Sequence, residues 1–364
     1  MRKLPEEKNT KGHSSKWNLS VMQSIIAHLY EVKPRIYWSD FLFSSFIGWF
    51  FFIISIKNTV GSIHWFICLC IASLALYRSV SFMHEIAHLR KNSLPGFHFT
   101  WTILIGIPMM IPSFLYTDIH LAHHHKNKFG TELDGEYVPF GRNSFFILAK
   151  HFLGHFILPL LIITRFAFLA PISFLHPKLR KLIKENFSGI SIKMPFKREI
   201  SHKKEDRIFW LFEEITTCFV IWFVILNICF GILPTAVIIQ YAIVAFLIAV
   251  LNSIRTIGGT HRYLSSGQEL SFQNQFTDSI NIDSSRLDSL LLCPVGLRYH
   301  ALHHLFAGLP YHALEKAHLC LKNTLPPDHD YHQSSLPTVW AGWQQILGDM
   351  KRVHSSYGFT KDTP

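Results

Sequence analysis

Three short histidine clusters carry the chemistry this chain could do: His84 and His88 in HEIAH, His120, His123 and His124 in HLAHH, and His300, His303 and His304 in HALHH. On a helix, residues three and four apart share a face, so each cluster presents two or three imidazoles in one direction. Histidine makes up 23 of the 364 residues, which gives an HxxHH by chance in about one chain in ten of this length, and two copies with an HxxxH far more rarely. Neutral imidazole suits iron, zinc, copper and nickel, whereas soft metals prefer sulfur and hard ones oxygen. Eight imidazoles exceed what one tetrahedral zinc accepts, so the pattern points to two metal ions.

The elements that must bring these clusters together are apolar. Hydrophobic residues make up 49% of the chain, with 32 Phe, and the mean hydropathy is +0.22. They are bunched into runs long enough for a membrane. Residues 41–58 and 62–83 each suffice to cross a hydrocarbon core, and Asn58 to Gly61 turns between them, returning the chain to the cytoplasmic side at His84. Residues 209–231 and 234–254 form a second hairpin around Gly231 and Pro234.

Two further apolar runs are constrained by parity. Residues 97–116 contain Pro108 and Pro112 and lead straight into HLAHH. A single crossing there would put His84 and His88 opposite His120, so a re-entrant or interfacial segment is expected, its broken backbone buried in protein. Residues 145–174 carry Lys150, His151, His155 and Arg165, and the Lys- and Arg-dense stretch from Lys178 to Arg207 follows. The positive-inside rule keeps that stretch cytoplasmic, so 145–174 is expected to lie in the interface without a net crossing.

The expected fold is an all-α integral membrane protein. It has four crossings in two hairpins, interfacial helices, and a cytoplasmic helical cap bearing the histidines. Residues 1–36 form a polar, basic N-terminal segment (Arg2, Lys3, Lys8, Lys11, Lys16) without the early apolar stretch of a signal peptide. Residues 37–318 form the membrane domain and 319–364 a C-terminal segment, with both termini cytoplasmic. A net charge of +11 and a pI near 9.3 fit anionic lipid better than nucleic acid, because the basic residues flank apolar runs rather than line a groove. The six cysteines form no CxxC and read as core or lipid-facing thiols.

Two nitrogen-held metals beside lipid-facing helices suit O2 chemistry on a hydrocarbon. A saturated methylene has no acidic proton and no good leaving group, so side-chain acid–base work cannot attack it; a redox metal using O2 can. Removing two hydrogens gives an alkene, and adding one oxygen gives an alcohol. A histidine-rich metal-binding or transport protein is the reading from another class, but transporters place their polar ligands within spans, whereas these histidines follow them.

HEIAH, HLAHH and HALHH, in that order with long apolar spans between, resemble the three histidine boxes of membrane fatty acid desaturases and their hydroxylase relatives. RYHALHHLFAGLPYHAL is similar to the third-box region of bacterial members, and the resemblance runs from about His84 to His318. It implies a non-haem di-iron centre, an acyl-chain tunnel, and His84, His88, His120, His123, His124, His300, His303 and His304 as iron ligands. Many members place a further histidine before the third box; His261 in GTHRY matches it, while the asparagine that some animal relatives carry four residues earlier is Ile257 here. The implied reaction is desaturation of an acyl lipid or acyl thioester with O2 and two electrons, with hydroxylation or ketone formation at the same centre as the alternative.

The chain shows no HPGG, CxxCH or cysteine cluster, so a separate ferredoxin or cytochrome is the expected electron donor. Glu85, Asp118, Asp134, Glu136 and Asp288 lie near the boxes. Since a ligating histidine usually donates its other N–H to a carboxylate or carbonyl, some of these should support ligands, with Glu136 and Asp288 preferred. His125 and His312 are further supporting candidates. His98, His151, His155 and His176 read as ordinary interfacial histidines, and Trp340 and Trp343 as interfacial anchors. The Lys178 to Arg207 stretch is read as contacting anionic lipid.

Overall fold

The computed structural model describes residues 18–90, 92–193, 196–200, 204–265 and 267–358; Arg2, Lys3, Lys8, Lys11 and Lys16 of the expected basic segment lie outside them. A short helix, α1 (Leu19–Ile26), is capped by Asn18, whose side chain accepts from Val21 N at 3.2 Å. The first hairpin follows as α2 (Pro34–Lys57) and α3 (Ile63–His88). Pro34 opens α2 where its missing N–H has no helical partner to lose, and Ser62 caps α3 by accepting from Trp65 N at 3.2 Å. The turn needs Gly61, whose φ of +84° a side chain would disfavour. The two helices approach closely because Gly48 faces Leu76; a Cβ there would sit 2.7 Å from the leucine side chain. Phe43, Phe46, Phe50, Phe66 and Ile67 point outward and are exposed, a face suited to lipid.

The proline-broken stretch comes next. The chain runs through α4 (Phe97–Trp101), a π-helical turn at Thr102–Gly106, a tight turn at Ser113–Leu115 and α5 (Thr117–His123). Its backbone is satisfied from neighbouring helices, as burial in an apolar setting demands. Trp49 Nε1 donates to Leu104 O and Tyr241 OH to Met109 O, each at 2.9 Å. The buried Glu213 carboxylate accepts from Ser113 N at 3.0 Å, Ser113 Oγ at 2.9 Å and Thr102 Oγ1 at 3.1 Å. The stretch leaves from His88 and returns at His120, whose rings lie 4.9 Å apart.

Next come α6 (Phe145–Thr164), a π-helical segment at Arg165–Leu169, α7 (Ala170–Ser173) and α8 (Pro177–Asn186). The two long helices α9 (Lys204–Cys229) and α10 (Ala236–Gly259) follow. Phe145–Ser173 is as long and apolar as the other spans, so among the described residues five helices rather than four have the length and composition to cross a membrane. The start of this run lies against α10, where His151 and His155 both bond Ser253 Oγ, at 3.0 and 2.7 Å. At its end Arg165 Nη2 donates to Glu214 of α9 at 2.6 Å.

The rest is the cap: α11 (Phe272–Asp278), β1 (Asn281–Ile282), α12 (Leu287–Leu292), α13 (His300–Leu305), α14 (Leu314–Thr324), β2 (Ser335–Leu336) and α15 (Val339–Gly358). β1 and β2 pair in parallel for two residues each. The molecule is an all-α integral membrane protein. The boundary expected between 36 and 37 falls inside α2, and that between 318 and 319 inside α14. The last segment is also no appendage: Trp343 Nε1 donates to Ile254 O at 2.9 Å, which ties α15 to α10. Trp343 thus packs on protein rather than anchoring at the interface, while Trp340 is exposed.

Candidate metal centre

The ends of four helices and one connecting segment build the centre. His84 and His88 occupy the last turns of α3; His120, His123 and His124 lie on and just beyond α5; His300, His303 and His304 fill α13; His261 follows α10 directly. All nine sequence-read histidines come together in two groups. His84, His88, His120, His124 and His303 form one, and His123, His261, His300 and His304 the other; within each, one ring nitrogen per residue lies within 4.8 Å of the rest.

Helical geometry explains the division. His120 and His124, four apart, point the same way, whereas His123 is rotated towards the second group. His300 and His304 likewise share the second group, and His303 joins the first. The groups adjoin through His124 and His304, stacked at 4.2 Å.

These side chains fit a cation better than they fit one another. His303 Nε2 faces His88 Nε2 and His124 Nε2, each at 3.2 Å. His300 Nε2 likewise faces His261 Nε2 at 3.1 Å and His304 Nε2 at 3.0 Å. A neutral imidazole has a single N–H, so three converging nitrogens cannot all be paired by hydrogen bonds. Buried His84 Nδ1 and Nε2, His120 Nε2, His123 Nε2 and His303 Nδ1 have no partner, an expensive state for polar atoms away from water. Burial, with neighbouring imidazoles adding to it, holds His120, His124, His261, His300, His303 and His304 below the usual histidine range, so they are neutral and have a lone pair to give. His123 is the exception: burial pulls it down, but Asp134 beside it outweighs that and the net shift is upward.

Three carboxylates back the rings. His123 Nδ1 donates to Asp134 at 2.8 Å and His120 Nδ1 to Glu136 at 3.0 Å, and Asp278 lies 3.6 Å from His261 Nδ1. A carboxylate that takes Nδ1–H leaves Nε2 bare towards the centre. Burial pushes Glu136 up to about 7 and Asp278 up to about 6. Asp134 also accepts from Gly130 N at 2.8 Å and Glu136 N at 2.9 Å, so one short loop fixes both acids.

Other expected supports go elsewhere. Asp288 bonds the neighbouring Ser289 N at 2.8 Å at the start of α12 and touches no box histidine. His312 Nε2 accepts from Lys33 N at 3.1 Å, which ties α14's approach to α2. His125 is exposed and belongs to neither group. Glu85 accepts from Tyr37 OH at 2.6 Å and Tyr311 N at 3.2 Å, and Asp118 from Arg198 at 3.0 Å. Sequence reading missed Asp278 altogether, because only the pairing of Arg262 N with Asp278 O, at 2.7 Å, brings it to His261. Beside the first group, a cavity of about 240 Å³ is lined by Tyr30, Tyr37, Glu85, His88, Arg90 and Leu309.

The sequence pattern of the family Fatty acid desaturase matches residues 61–336. A protein of Caulobacter vibrioides (strain NA1000 / CB15N), ceramide hydroxylase, is 36% identical over 342 residues, which cover 94% of this chain and 95% of that one. No solved structure matches the chain.

Proposed function

The chain belongs to the fatty acid desaturase family, and from that membership we propose that it hydroxylates a ceramide-type lipid, using O2 and two electrons at a pair of irons. At the coarser level it is a membrane oxidoreductase of the desaturase and hydroxylase class acting on lipid. Hydroxylation is favoured over the desaturation expected from the boxes because the similarity to a ceramide hydroxylase spans nearly the whole of both chains. The observation that carries the reading is the convergence of nine histidines in two adjoining groups.

In this reading His84, His88, His120, His124 and His303 hold one iron, and His123, His261, His300 and His304 the other. The irons supply what side chains lack, activation of O2 for attack on an unactivated C–H bond. Asp134 and Glu136 hold His123 and His120 in the tautomer that turns Nε2 inward, while His261 Nδ1 meets Ser279 Oγ at 3.4 Å with Asp278 next to it. Tyr37 OH and Tyr311 N both donate to Glu85 Oε2, while Glu85 Oε1 lies 3.8 Å from His84 Nδ1. The cavity ending on His88 has both polar and apolar walls, which suits a lipid with an amide and hydroxyl head. Electrons come from a separate ferredoxin or cytochrome at the cytoplasmic face, the side to which the positive-inside rule assigns the basic Lys178 to Arg207 stretch.

Desaturation of an acyl lipid by the same centre is the second reading, supported by the family pattern itself. Expressing the chain in a host that makes ceramide, then extracting lipids for mass spectrometry, separates the two. Gain of one oxygen on ceramide supports hydroxylation, and loss of two hydrogens supports desaturation. The His303→Ala variant should bind less iron and form neither product while still inserting in the membrane; unchanged iron and product would overturn the assignment.

A further inference from the structure

Away from the histidines, the interfacial helix α8 and the start of α9 enclose a second polar feature that the oxidation chemistry does not use. A cavity of about 20 Å³ has room for one group the size of a water molecule or a phosphoryl oxygen. Its walls include Phe114, Lys184, Ser188, Arg198, Trp210 and Glu214. Arg198 is only 4% exposed. One of its terminal nitrogens donates to Phe114 O at 2.6 Å and to Ser188 O, and the other to Asp118 at 3.0 Å. Its Nε, also buried, has no partner, and neither does Nη1 of the buried Arg165 nearby.

The charges do not balance. Arg165, Arg180, Lys184 and Arg198 share Glu214 and Asp118, and Glu185 is taken by Lys181 and Lys197. Among the described residues the cluster keeps an excess of two positive charges around buried, unpaired guanidinium N–H groups, an arrangement that desolvation penalises unless an anion completes it. Glu214 also faces the cavity, but Arg165 and Arg180 each take one of its oxygens, so it repels an incoming anion weakly. Among the described residues no carboxylate pairs with Lys184, and burial among these cations holds its ammonium below the usual lysine range. Leu211, which lines the cavity, and Leu182, Phe187, Ile208 and Phe212 on α8, just after it and on α9 are exposed apolar residues, which sets the cluster at the level where lipid headgroups lie.

We propose that this cavity receives one oxygen of a phosphate group that sits at its mouth on the membrane surface, carried by an anionic phospholipid or free in solution. Arg198 and Lys184 supply charge-assisted N–H donors to its oxygens, and Trp210, over whose ring the Arg198 guanidinium lies at 5.4 Å, forms part of the wall. Asp118 is on the helix that carries His120, so the bound anion also braces the element holding the second box.

The test uses the full-length protein in detergent micelles, offered phosphatidylglycerol or phosphatidylcholine of identical chains and examined by native mass spectrometry. We expect one phosphatidylglycerol retained in preference to phosphatidylcholine, and a roughly tenfold loss of that retention in Lys184→Gln, as removal of one charged donor implies. Lys181→Gln, on the outer side of the same helix, should leave it unchanged. Displacement of the lipid by millimolar inorganic phosphate identifies the phosphate alone as the ligand, and retention against it identifies the whole headgroup. Equal retention of both lipids without phosphate binding, or equal losses in the Lys184 and Lys181 variants, overturns the site.

Discussion

A buried carboxylate that accepts from His123 Nδ1, Gly130 N and Glu136 N together cannot lose its charge without disturbing all three. Asp134→Asn must turn an amide N–H towards one of these donors, so we expect metal affinity or turnover to fall roughly 10- to 100-fold, the usual effect of removing such a support. Asp288→Asn is the contrast: its contacts are the Ser289 N–H at the start of α12 and the exposed Arg286, 3.6 Å away, so iron content should hold and stability fall by about 0.3–1 kcal/mol. Iron analysis and thermal unfolding of both variants check the pair. The nine histidines were legible in the sequence because helical spacing is local, with His261 added by resemblance; their division into five and four was not, because it depends on how α5 and α13 are rotated. Asp288 is preferred over Asp134 on sequence for the same reason, each being an acid a few residues from a box and neither carrying a local sign of which way it faces. A pH prediction belongs at this scale as well. Burial pushes Asp283 up, but hydrogen bonds from His318, Lys322 and Ser335 outweigh it and hold its carboxyl below the usual range. A carboxylate depressed on folding contributes stability above its unfolded value, near pH 4, and loses it as pH falls below that. Detergent-solubilised protein should therefore unfold more readily on acidification below about pH 4, and Asp283→Asn should lower the melting temperature above that value while flattening its fall below it.

Between elements, the tightest contact is the crossing of α15 over α10. A Cβ on Gly342 would lie 1.9 Å from Gly258 O, and one on Gly258 would lie 2.3 Å from Trp343 Cδ1. Neither neighbour can give way, since one is helix backbone and the other is a tryptophan bonded to Ile254 O. Gly342→Ala should separate the helices at a cost of about 1–3 kcal/mol. Because His261 follows Gly258 by three residues, iron should be lost along with stability; a variant that melts lower yet keeps full iron would show that α15 does not position that histidine. The sequence reading sets this last segment apart where the family resemblance ends, near His318, within a cap whose hydropathy falls from Arg255 onward; hydropathy reports contact with lipid and not contact with protein. The same limit explains the helix ends. α2 begins at Pro34 although its apolar run begins at residue 41, because Asp40 enters the helix paired with Arg78 through two hydrogen bonds of 2.6 and 2.5 Å. Pro108 and Pro112 did announce a broken segment, whereas the carboxylate that anchors it, Glu213, lies about a hundred residues away and carries no local signal.

For the molecule as a whole, the arrangement of histidines limits how the chain can thread the bilayer. His123 and His261 lie in one group with rings 5.1 Å apart, yet three helices long enough to cross, α6, α9 and α10, separate them. An odd number of crossings would place these two rings on opposite surfaces, so at least one of the three must return to the side it left. The contacts single out the run containing α6. It departs beside Ser253, six residues before the metal-side end of α10, and Arg165 and then Arg180 bind Glu214. Glu214 adjoins Glu213, the anchor of the turn that leads into α5 and His120. Phe146, Leu153 and Leu160, seven residues apart, are exposed along one stripe, while His151 and His155 turn inward to Ser253, as a helix dipping into one leaflet requires. In a background without native cysteines, Lys178→Cys and Lys316→Cys should therefore react with a membrane-impermeant thiol reagent from the cytoplasmic side. Val60→Cys and Ile232→Cys, at the exposed turns of the two hairpins, should react only from the opposite side. Labelling of Lys178→Cys together with Val60→Cys would mean that α6 crosses, and a single metal centre containing both His123 and His261 would then require α9 or α10 to turn back instead.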